Sequence, residues 1–452
     1  MMNQLKKLKL GEKVGYALGD TAANISWRTL TTFLLIFYTD VYGISAAAAG
    51  ILLLVTRLSD GVTDVIMGMI ADRTNTKQGK FRPWILWSAL PLGILMSLTF
   101  TTPDFGPTGK LVYAYATYIL LTLVYTANNV PYSALMGVMT PDDKERTSLS
   151  SYRFAGAYLG GIITQGLLIY LVLFLGNGDE NKGYQYSIYL LSAVLVIFFL
   201  ITYLSTKERV KPVKKTQNTL LEDLKDLITN KAWLTLLFIG FGFVTYNSIK
   251  QGITVIYFKR FLGSETLAAS YMVVLLVVSM LAAFVTTPLA KKYGKKNLFL
   301  AAMLLSGAFN ALIYFFSDPT SVFIFGSLSE FFAGMTPVLF FAMLGDSSDF
   351  SEWKTGRRAT GLVFSAGTFA MKFGGGVAGA IIGFVLTAYN YDGMAEMTSE
   401  EAKEGIKLLM SWGAALVAFL TFLFIMPYPL TKSKVETINE ELEAMRVEQA
   451  GD

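Results

Sequence analysis

An all-α membrane protein of twelve transmembrane helices in two six-helix bundles is the fold class this sequence predicts, and three observations predict it. The 452 residues are 53% hydrophobic, 14% aromatic and only 16% charged, with a mean hydropathy of +0.48, whereas soluble domains carry about a quarter charged residues. Apolar stretches of about 20 residues recur along nearly the whole chain, each long enough to cross a hydrocarbon core of roughly 30 Å as a helix. Lys and Arg concentrate in every second connection between those stretches, as cytoplasmic loops do.

Breaking the apolar runs at turn and charge clusters places the spans near residues 14, 46, 82, 110, 150, 184, 232, 266, 297, 321, 357 and 405. The odd-to-even loops TDVYGIS, GNGDENKG and YDGMAEMTSEEAKEG are poor in basic residues. The even-to-odd loops carry Arg73, Lys77, Lys80 and Arg82, then Lys291, Lys292, Lys295 and Lys296, then Lys354, Arg357 and Arg358. Both termini are therefore expected in the cytoplasm. The opening MMNQLKKLKLGEK has no apolar leader with a cleavage site and is expected to be retained.

The longest basic connector, with KERVKPVKKTQ and the amphipathic LLEDLKDLI, divides the chain into a bundle over 1–205, a cytoplasmic linker over 206–231 and a second bundle over 232–452. The halves answer one another. GMIADRTNTKQGKFRP after span two corresponds to PLAKKYGKKN after span eight, and MTPDDKERTSLSSYRF after span four to GDSSDFSEWKTGRRATGLVF after span ten. Parallel six-helix repeats are the signature of the major facilitator architecture, which places substrate between the halves near the bilayer midplane.

Absent residues narrow the chemistry. With no Cys and no His there are no disulfides, no thiolate metal sites and no imidazole base, so any proton chemistry falls to carboxylates. The net charge of +5 sits in particular loops rather than in one patch, so nucleic acid is not an expected partner. No Walker pattern, HExxH or G-x-S-x-G occurs, which argues against ATP-driven transport and against a membrane enzyme, and no cofactor is expected.

Ionisable groups at bilayer depth cost a few kcal/mol each even on lenient scales, so those present carry the functional signal. Span two reads ILLLVTRLSDGVTDVIMGMIAD; Asp60 lies roughly 21 Å along it at 1.5 Å per residue, and Asp64 one turn further on the same face. Two such carboxylates cannot comfortably both ionise without a cation between them, which makes the pair a site for Na⁺, Li⁺ or a coupling proton, with Thr63 and Thr126 offering neutral oxygens. The competing account is that Arg57, three residues before Asp60, neutralises one carboxylate and the pair only packs the bundle. Span one holds Asp20 in YALGDTAANISWR, followed at helical spacing by Asn24 and Trp27, groups suited to hydrogen-bonding and stacking on a sugar.

Arg28, Arg153, Lys250 and Lys372 lie at depth on spans one, five, seven and eleven. Convergence on one cavity would favour an anionic ligand such as a uronide, whereas Arg28 or Lys250 could instead snorkel to an interface. Gly-rich FGGGVAGAIIG and YLGGIITQG read as small-residue helix contacts. Asp72, Arg73, Asp142, Asp143, Arg146, Asp346, Asp349 and Glu352 read as cytoplasmic salt bridges that latch the halves.

Taken together, GYALGD, FYTDVYG, RLSDGVTD, DRTNTKQGKFRPW, NVPYSAL, SYRF, DSSDFSEW and MKFGGG resemble the glycoside-pentoside-hexuronide:cation symporters of the major facilitator superfamily, the group of the melibiose carrier. That resemblance implies a secondary transporter of the bacterial inner membrane, a monomer among lipids, moving a sugar, glycoside or uronide with Na⁺, Li⁺ or H⁺. By resemblance Asp60 and Asp64 are the cation pair and Thr126 a further ligand. Asp20 is then a sugar-binding carboxylate, Arg153 a cavity arginine and Lys372 a polar link between halves. Two departures stand out. Asn129 replaces an aspartate and Ser133 a nearby aromatic, and Thr63 replaces an asparagine, which shifts the expected substrate away from a galactoside and leaves the cation open. A lysolipid or other amphiphile carrier of the same fold is the rival; Asn24, Asn128, Asn129 and Gln251 make the expected cavity polar and oppose it.

Overall fold

Several helices begin on side chains that supply what the first backbone N–H groups lack. Ser45, Asp179, Asn230 and Asp318 each accept from the N–H three residues on, opening the helices at Ala46–Arg73, Glu180–Ser205, Lys231–Ile256 and Pro319–Ala333. The structure is a computed structural model and describes residues 7–140, 143–209, 229–316, 318–355 and 360–451. The stretch LLEDLKDLI, Asp142, Arg357 and Arg358 lie outside the described residues, as do the side chains of Asp72, Asp143 and Arg146.

The described residues are nearly all helical. Span one is Leu10–Ile36, span two Ala46–Arg73, span three Arg82–Thr99, span four Pro107–Met139, and span five Asp143–Gly161 continuing as Leu168–Gly176. Span six is Glu180–Ser205, span seven Lys231–Ile256, span eight Glu265–Tyr293 and span nine Lys295–Leu312. Span ten, Pro319–Lys354, is interrupted at Gly334 and Met335; span eleven is Thr360–Ala388, and span twelve runs from Glu400 to Ile425. Ten of these are long and apolar enough to cross a membrane. The other two are span one, with Asp20, Asn24 and Arg28 in its middle, and span three, only 18 residues long and opening on Arg82. Span five starts earlier than its apolar run, because DKERTS joins the helix ahead of it.

The helices group into two compact units. Unit one comprises Met1–Lys214, Phe258–Val273 and Leu386–Ala402; unit two comprises Lys215–Tyr257, Val274–Val385 and Lys403–Asp452.

Within unit one, spans one and five touch backbone to backbone. A Cβ on Gly156 would stand 2.2 Å from the carbonyl oxygen of Ala17, and one on Gly160 would stand 2.6 Å from that of Thr21. The GAYLG spacing is thus a small-xxx-small contact, and Thr21 Oγ1 closes it by donating to Gly156 O at 3.0 Å. Unit two repeats the device: a Cβ on Gly374 would meet Phe241 O at 2.5 Å, and Thr245 Oγ1 donates to Gly374 O at 3.1 Å.

A second internal repeat was not evident in the sequence. FYTDVYG and YFKRFLG both end their helices in a π-turn followed by a glycine of positive φ, Gly43 at 79° and Gly263 at 73°. Ile44 N–H bonds Tyr38 O, and Ser264 N–H bonds Phe258 O in the same register. Asp40 and Arg260 occupy the same place in the two turns and pair at 2.8 Å inside unit one. The Asp40 carboxylate, with no exposed side-chain surface, also accepts from Tyr391 Oη and Thr39 Oγ1 at 2.7 Å. The Arg260 guanidinium bonds the carbonyls of Gly393 and Ala395. Gly393 admits no side chain, because a Cβ would fall 2.5 Å from Asp40 Oδ1.

On the basic-loop side of unit one, the Glu208 carboxylate accepts from the N–H groups of Lys80, Phe81 and Arg82 at 2.8–2.9 Å. It caps span three from the far end of the bundle, where an acidic side chain also meets the positive end of the helix dipole. In unit two Lys295 pairs with Asp346 at 2.5 Å, which gives one of the loop acids read as a latch a partner on span nine.

Candidate functional site

The close approach of Gly156 and Gly160 to span one brings Arg153, one turn earlier on span five, level with Asp20. Arg153 Nε donates to Asp20 Oδ1 at 3.1 Å and NH2 donates to Ser133 Oγ at 3.2 Å on span four. Ser133, an aromatic position in the melibiose carrier, is here the hydroxyl that holds the guanidinium. Asn24 Nδ2 donates to Asp20 O at 3.0 Å, one helical turn back. Behind the pair, Tyr16 and Tyr132 stack at 4.7 Å, and the guanidinium carbon of Arg153 lies 5.5 Å from the Tyr132 ring.

On span two Arg57 NH1 donates to Asp60 Oδ2 at 3.1 Å, with both side chains almost wholly buried. Asp64, half-buried, accepts from Thr126 Oγ1 of span four at 3.1 Å. Thr63 directs its hydroxyl hydrogen at the carbonyls of Ser59 and Asp60, both at 3.2 Å, which leaves its lone pairs for another donor or a cation. Among the described residues no group of three Asp or Glu side chains could hold a metal ion. The oxygens available here are two carboxylates and two hydroxyls, a set suited to a monovalent ion or a proton rather than to a resident divalent metal.

Trp27, one turn after Asn24 on span one, meets the second cluster through Arg57. The guanidinium carbon of Arg57 stands 4.1 Å from its ring centroid, and Tyr125 stacks on it at 5.9 Å. Asn129 Nδ2 in turn donates to Tyr125 Oη at 3.3 Å. Unit one thus brings together Asp20, Asn24, Trp27, Asp60, Thr63, Asp64, Thr126, Asn129 and Arg153, from spans one, two, four and five. Arg28 is half-buried on span one.

Unit two holds the other candidates. Lys250 is 4% exposed in its side chain and pairs with Glu330 Oε2 of span ten at 3.0 Å, while Ser279 Oγ of span eight donates to Glu330 Oε1 at 2.5 Å. Lys250 also lies 5.1 Å from the Tyr246 ring, whose hydroxyl bonds Ser329 and Ser306 at 2.6 and 2.7 Å. Lys372 is half-buried on span eleven, two residues before Gly374. Glu330 was missed in the sequence, although a lone carboxylate in FIFGSLSEFFAG is itself an intramembrane charge. Of the four cations that pointed to an acidic ligand, two, Arg153 and Lys250, are paired with carboxylates, Asp20 and Glu330.

The description "MFS/sugar transport protein" matches residues 15–432. The chain belongs to that family. It is 35% identical to the putative glycoside/cation symporter YagG of Escherichia coli (strain K12), over 97% of this chain and 96% of that one. It is equally 35% identical to the isoprimeverose transporter of Lactiplantibacillus pentosus, over 84% and 80% of the two chains. Among solved structures, a bacterial homologue of the human lysosomal transporter Spinster, inward-facing and unoccupied, superposes with a TM-score of 0.69 at 14% identity, covering 94% of this chain and 99% of that one. That likeness speaks for the major facilitator fold, which this MFS sugar transport protein shares over nearly its full length.

Proposed function

We propose that this protein is a bacterial inner-membrane symporter that moves a neutral glycoside inward together with a monovalent cation or proton, with both termini in the cytoplasm. The observation that carries the proposal is the meeting of two clusters in unit one: carboxylates Asp60 and Asp64 with Thr126 on one side, and Asp20, Asn24 and Arg153 beside Trp27 on the other. The first offers the negative charge and oxygens a cation needs. The second offers what a pyranose needs, a carboxylate–guanidinium pair for vicinal hydroxyls and an indole face for its C–H surface.

Cation at Asp60 and Asp64 neutralises the site and raises affinity for the sugar, and the loaded carrier then changes which side it faces. A glycoside is favoured over a uronide because Arg153 and Lys250 are already neutralised by Asp20 and Glu330, so a sugar carboxylate gains no unpaired partner from either. An amphiphile is disfavoured because the side chains gathered on spans one, four and five are polar: Arg153 with Asp20, Asn24 one turn further on, and Asn129 on Tyr125.

The test is a thermal-shift panel on the purified full chain. The methyl glycosides of galactose, glucose and xylose, p-nitrophenyl glucuronide and a lysophospholipid are each added in NaCl, in LiCl and at pH 5.5 and 7.5. At least one neutral methyl glycoside is expected to stabilise the protein by several degrees, and in only one of the ionic conditions. Stabilisation confined to the glucuronide would overturn the neutral-sugar assignment, and stabilisation confined to the lysophospholipid would overturn sugar transport.

A further inference from the structure

Span seven repeats span one position by position. Asp40 and Arg260 stand 220 residues apart. The same step carries Gly43 to Gly263, and the Ile44 N–H bond on Tyr38 O to that of Ser264 on Phe258 O. It also carries the Thr21 carbonyl, which a Cβ on Gly160 would meet, to the Phe241 carbonyl, which a Cβ on Gly374 would meet. In that register burial agrees at every place over 22–36 and 242–256: four side chains in each helix are half-buried and the rest are buried. Spaced i, i+3, i+4 and i+7, the four share one face.

On span one that face holds Asn24, Trp27, Arg28 and Thr31, two of them read above as sugar contacts. On span seven it holds Val244, Asn247, Ser248 and Gln251. Asn247, Ser248 and Gln251 have no hydrogen-bond partner among the described residues. Gly375 of span eleven leaves the face open, since even a Cβ there would stand 3.6 Å from Ser248 Oγ. Asn247 lies about 24 Å along the helix from Lys231 at 1.5 Å per residue, a depth at which amides turned to hydrocarbon would go unsatisfied at heavy cost. The surface of span seven suited to lipid carries Phe238, 55% exposed.

Lys250 lies off this face, buried and paired with Glu330, so the face carries no charge. Two amides and a hydroxyl both donate and accept, as every sugar hydroxyl does. An acyl chain would leave all three unpaired. Resting on the symport reading above, we infer that Asn247, Ser248 and Gln251 form a second sugar-recognition face, carried by span seven, that selects the transported glycoside by its neutral hydroxyls.

The experiment sets Asn247→Leu and Gln251→Leu beside wild type in the purified full chain, with the methyl glycoside that gives the largest shift in the panel. Each variant is expected to melt like wild type without sugar, since the amide it removes bonds nothing in the protein. Each is expected to bind that glycoside about ten-fold more weakly, the worth of one good hydrogen bond. Monodeoxy analogues of the glycoside separate contact from a remote effect. Wild type is expected to bind at least one of them more weakly, and that penalty is expected to vanish in the variant lacking the partner of the missing hydroxyl. Variants that bind every glycoside as wild type does, or that weaken the parent and all analogues by one common factor, overturn the inference.

A second readout does not need those variants to fold. The chain has no cysteine, so Ser248→Cys places a unique thiol on the face with little change of shape. A small water-soluble thiosulfonate reagent is expected to label it, and the glycoside to slow the labelling. A thiol that the reagent never reaches, or reaches equally fast with sugar bound, contradicts the inference. A wild type that binds no neutral methyl glycoside sinks the neutral-glycoside reading itself. A wild type that binds one, with affinity indifferent to both leucine variants, sinks only the role of span seven.

Discussion

Asp60→Asn is expected to reduce cation-driven accumulation of glycoside to background, a loss on the order of 100-fold, while exchange of preloaded glycoside across the membrane continues. The substitution keeps the shape of the side chain and removes its charge, so Arg57 loses its buried partner and the incoming cation loses a ligand in the same step. Breaking a buried ion pair from one side costs about 3–5 kcal/mol, and 3 kcal/mol alone is more than 100-fold in an equilibrium constant. Exchange survives because it requires sugar to bind and the carrier to turn over, and the sugar cluster of Asp20, Asn24 and Arg153 is held by span one and span five rather than by Asp60. Tracer uptake into proteoliposomes under an imposed Na⁺, Li⁺ or H⁺ gradient, set beside counterflow in the same vesicles, separates the two. Full accumulation in the variant would remove Asp60 from the cation site.

Gly156→Leu carries the second large effect, and it begins in packing. A first side-chain carbon there would stand 2.2 Å from Ala17 O and 3.1 Å from Thr21 Oγ1, and span one cannot yield without parting from span five along its length. Overpacking of this kind against backbone exceeds the usual cost of about 1–3 kcal/mol for enlarged core side chains, because no rotamer relieves it. Separation of the helices also takes Arg153 away from Asp20. The expected result is a melting temperature lower by 10 °C or more, on the usual scaling of about 2–4 °C per kcal/mol for large domains, with sugar affinity down at least about ten-fold in whatever protein remains folded. Gly11→Ala, on span one where nothing lies within 4 Å of the added carbon, is the control and is expected to be neutral.

Both sites show what a sequence can and cannot tell. Span positions and the intramembrane carboxylates were legible because each is a local property: twenty apolar residues, a charge where charge is costly. Asp60 and Arg57 could be paired on paper, since three residues on a helix always face one another. The contact of Arg57 with Trp27 could not, because it depends on how spans one and two cross. Glu330 was overlooked for a different reason: Lys250 drew attention as a lone cation, and its neutraliser sits 80 residues away on span ten. The Asp40–Arg260 pair is more distant still, at 220 residues. Its trace, FYTDVYG against YFKRFLG, shows no charge similarity, because the two turns carry opposite charges at the shared position. Only the matching π-turns and the positive φ of Gly43 and Gly263 reveal the repeat.

Gly156 belongs with Asp60 in one respect. The sequence marked YLGGIITQG as small-residue packing, and the structure sets its Gly160, together with Gly156 one turn earlier, against Thr21 and Ala17. The helix contact holds Asp20 and Arg153 together, and Asp60 shares an ion pair with Arg57.

Linkage gives the most direct measurement of the claim that Asp60 and Asp64 couple a cation to a sugar. If one binding event changes the affinity of the other, the two factors must be equal. Isothermal titration of the purified protein with the stabilising methyl glycoside at zero and saturating cation gives one factor; titration with the cation at zero and saturating glycoside gives the other. The two are expected to be greater than one and equal within error in wild type, and both are expected to fall to one in Asp64→Asn. A sugar affinity that stays the same across Na⁺, Li⁺ and pH in wild type, or a coupling factor untouched in Asp64→Asn, would contradict it.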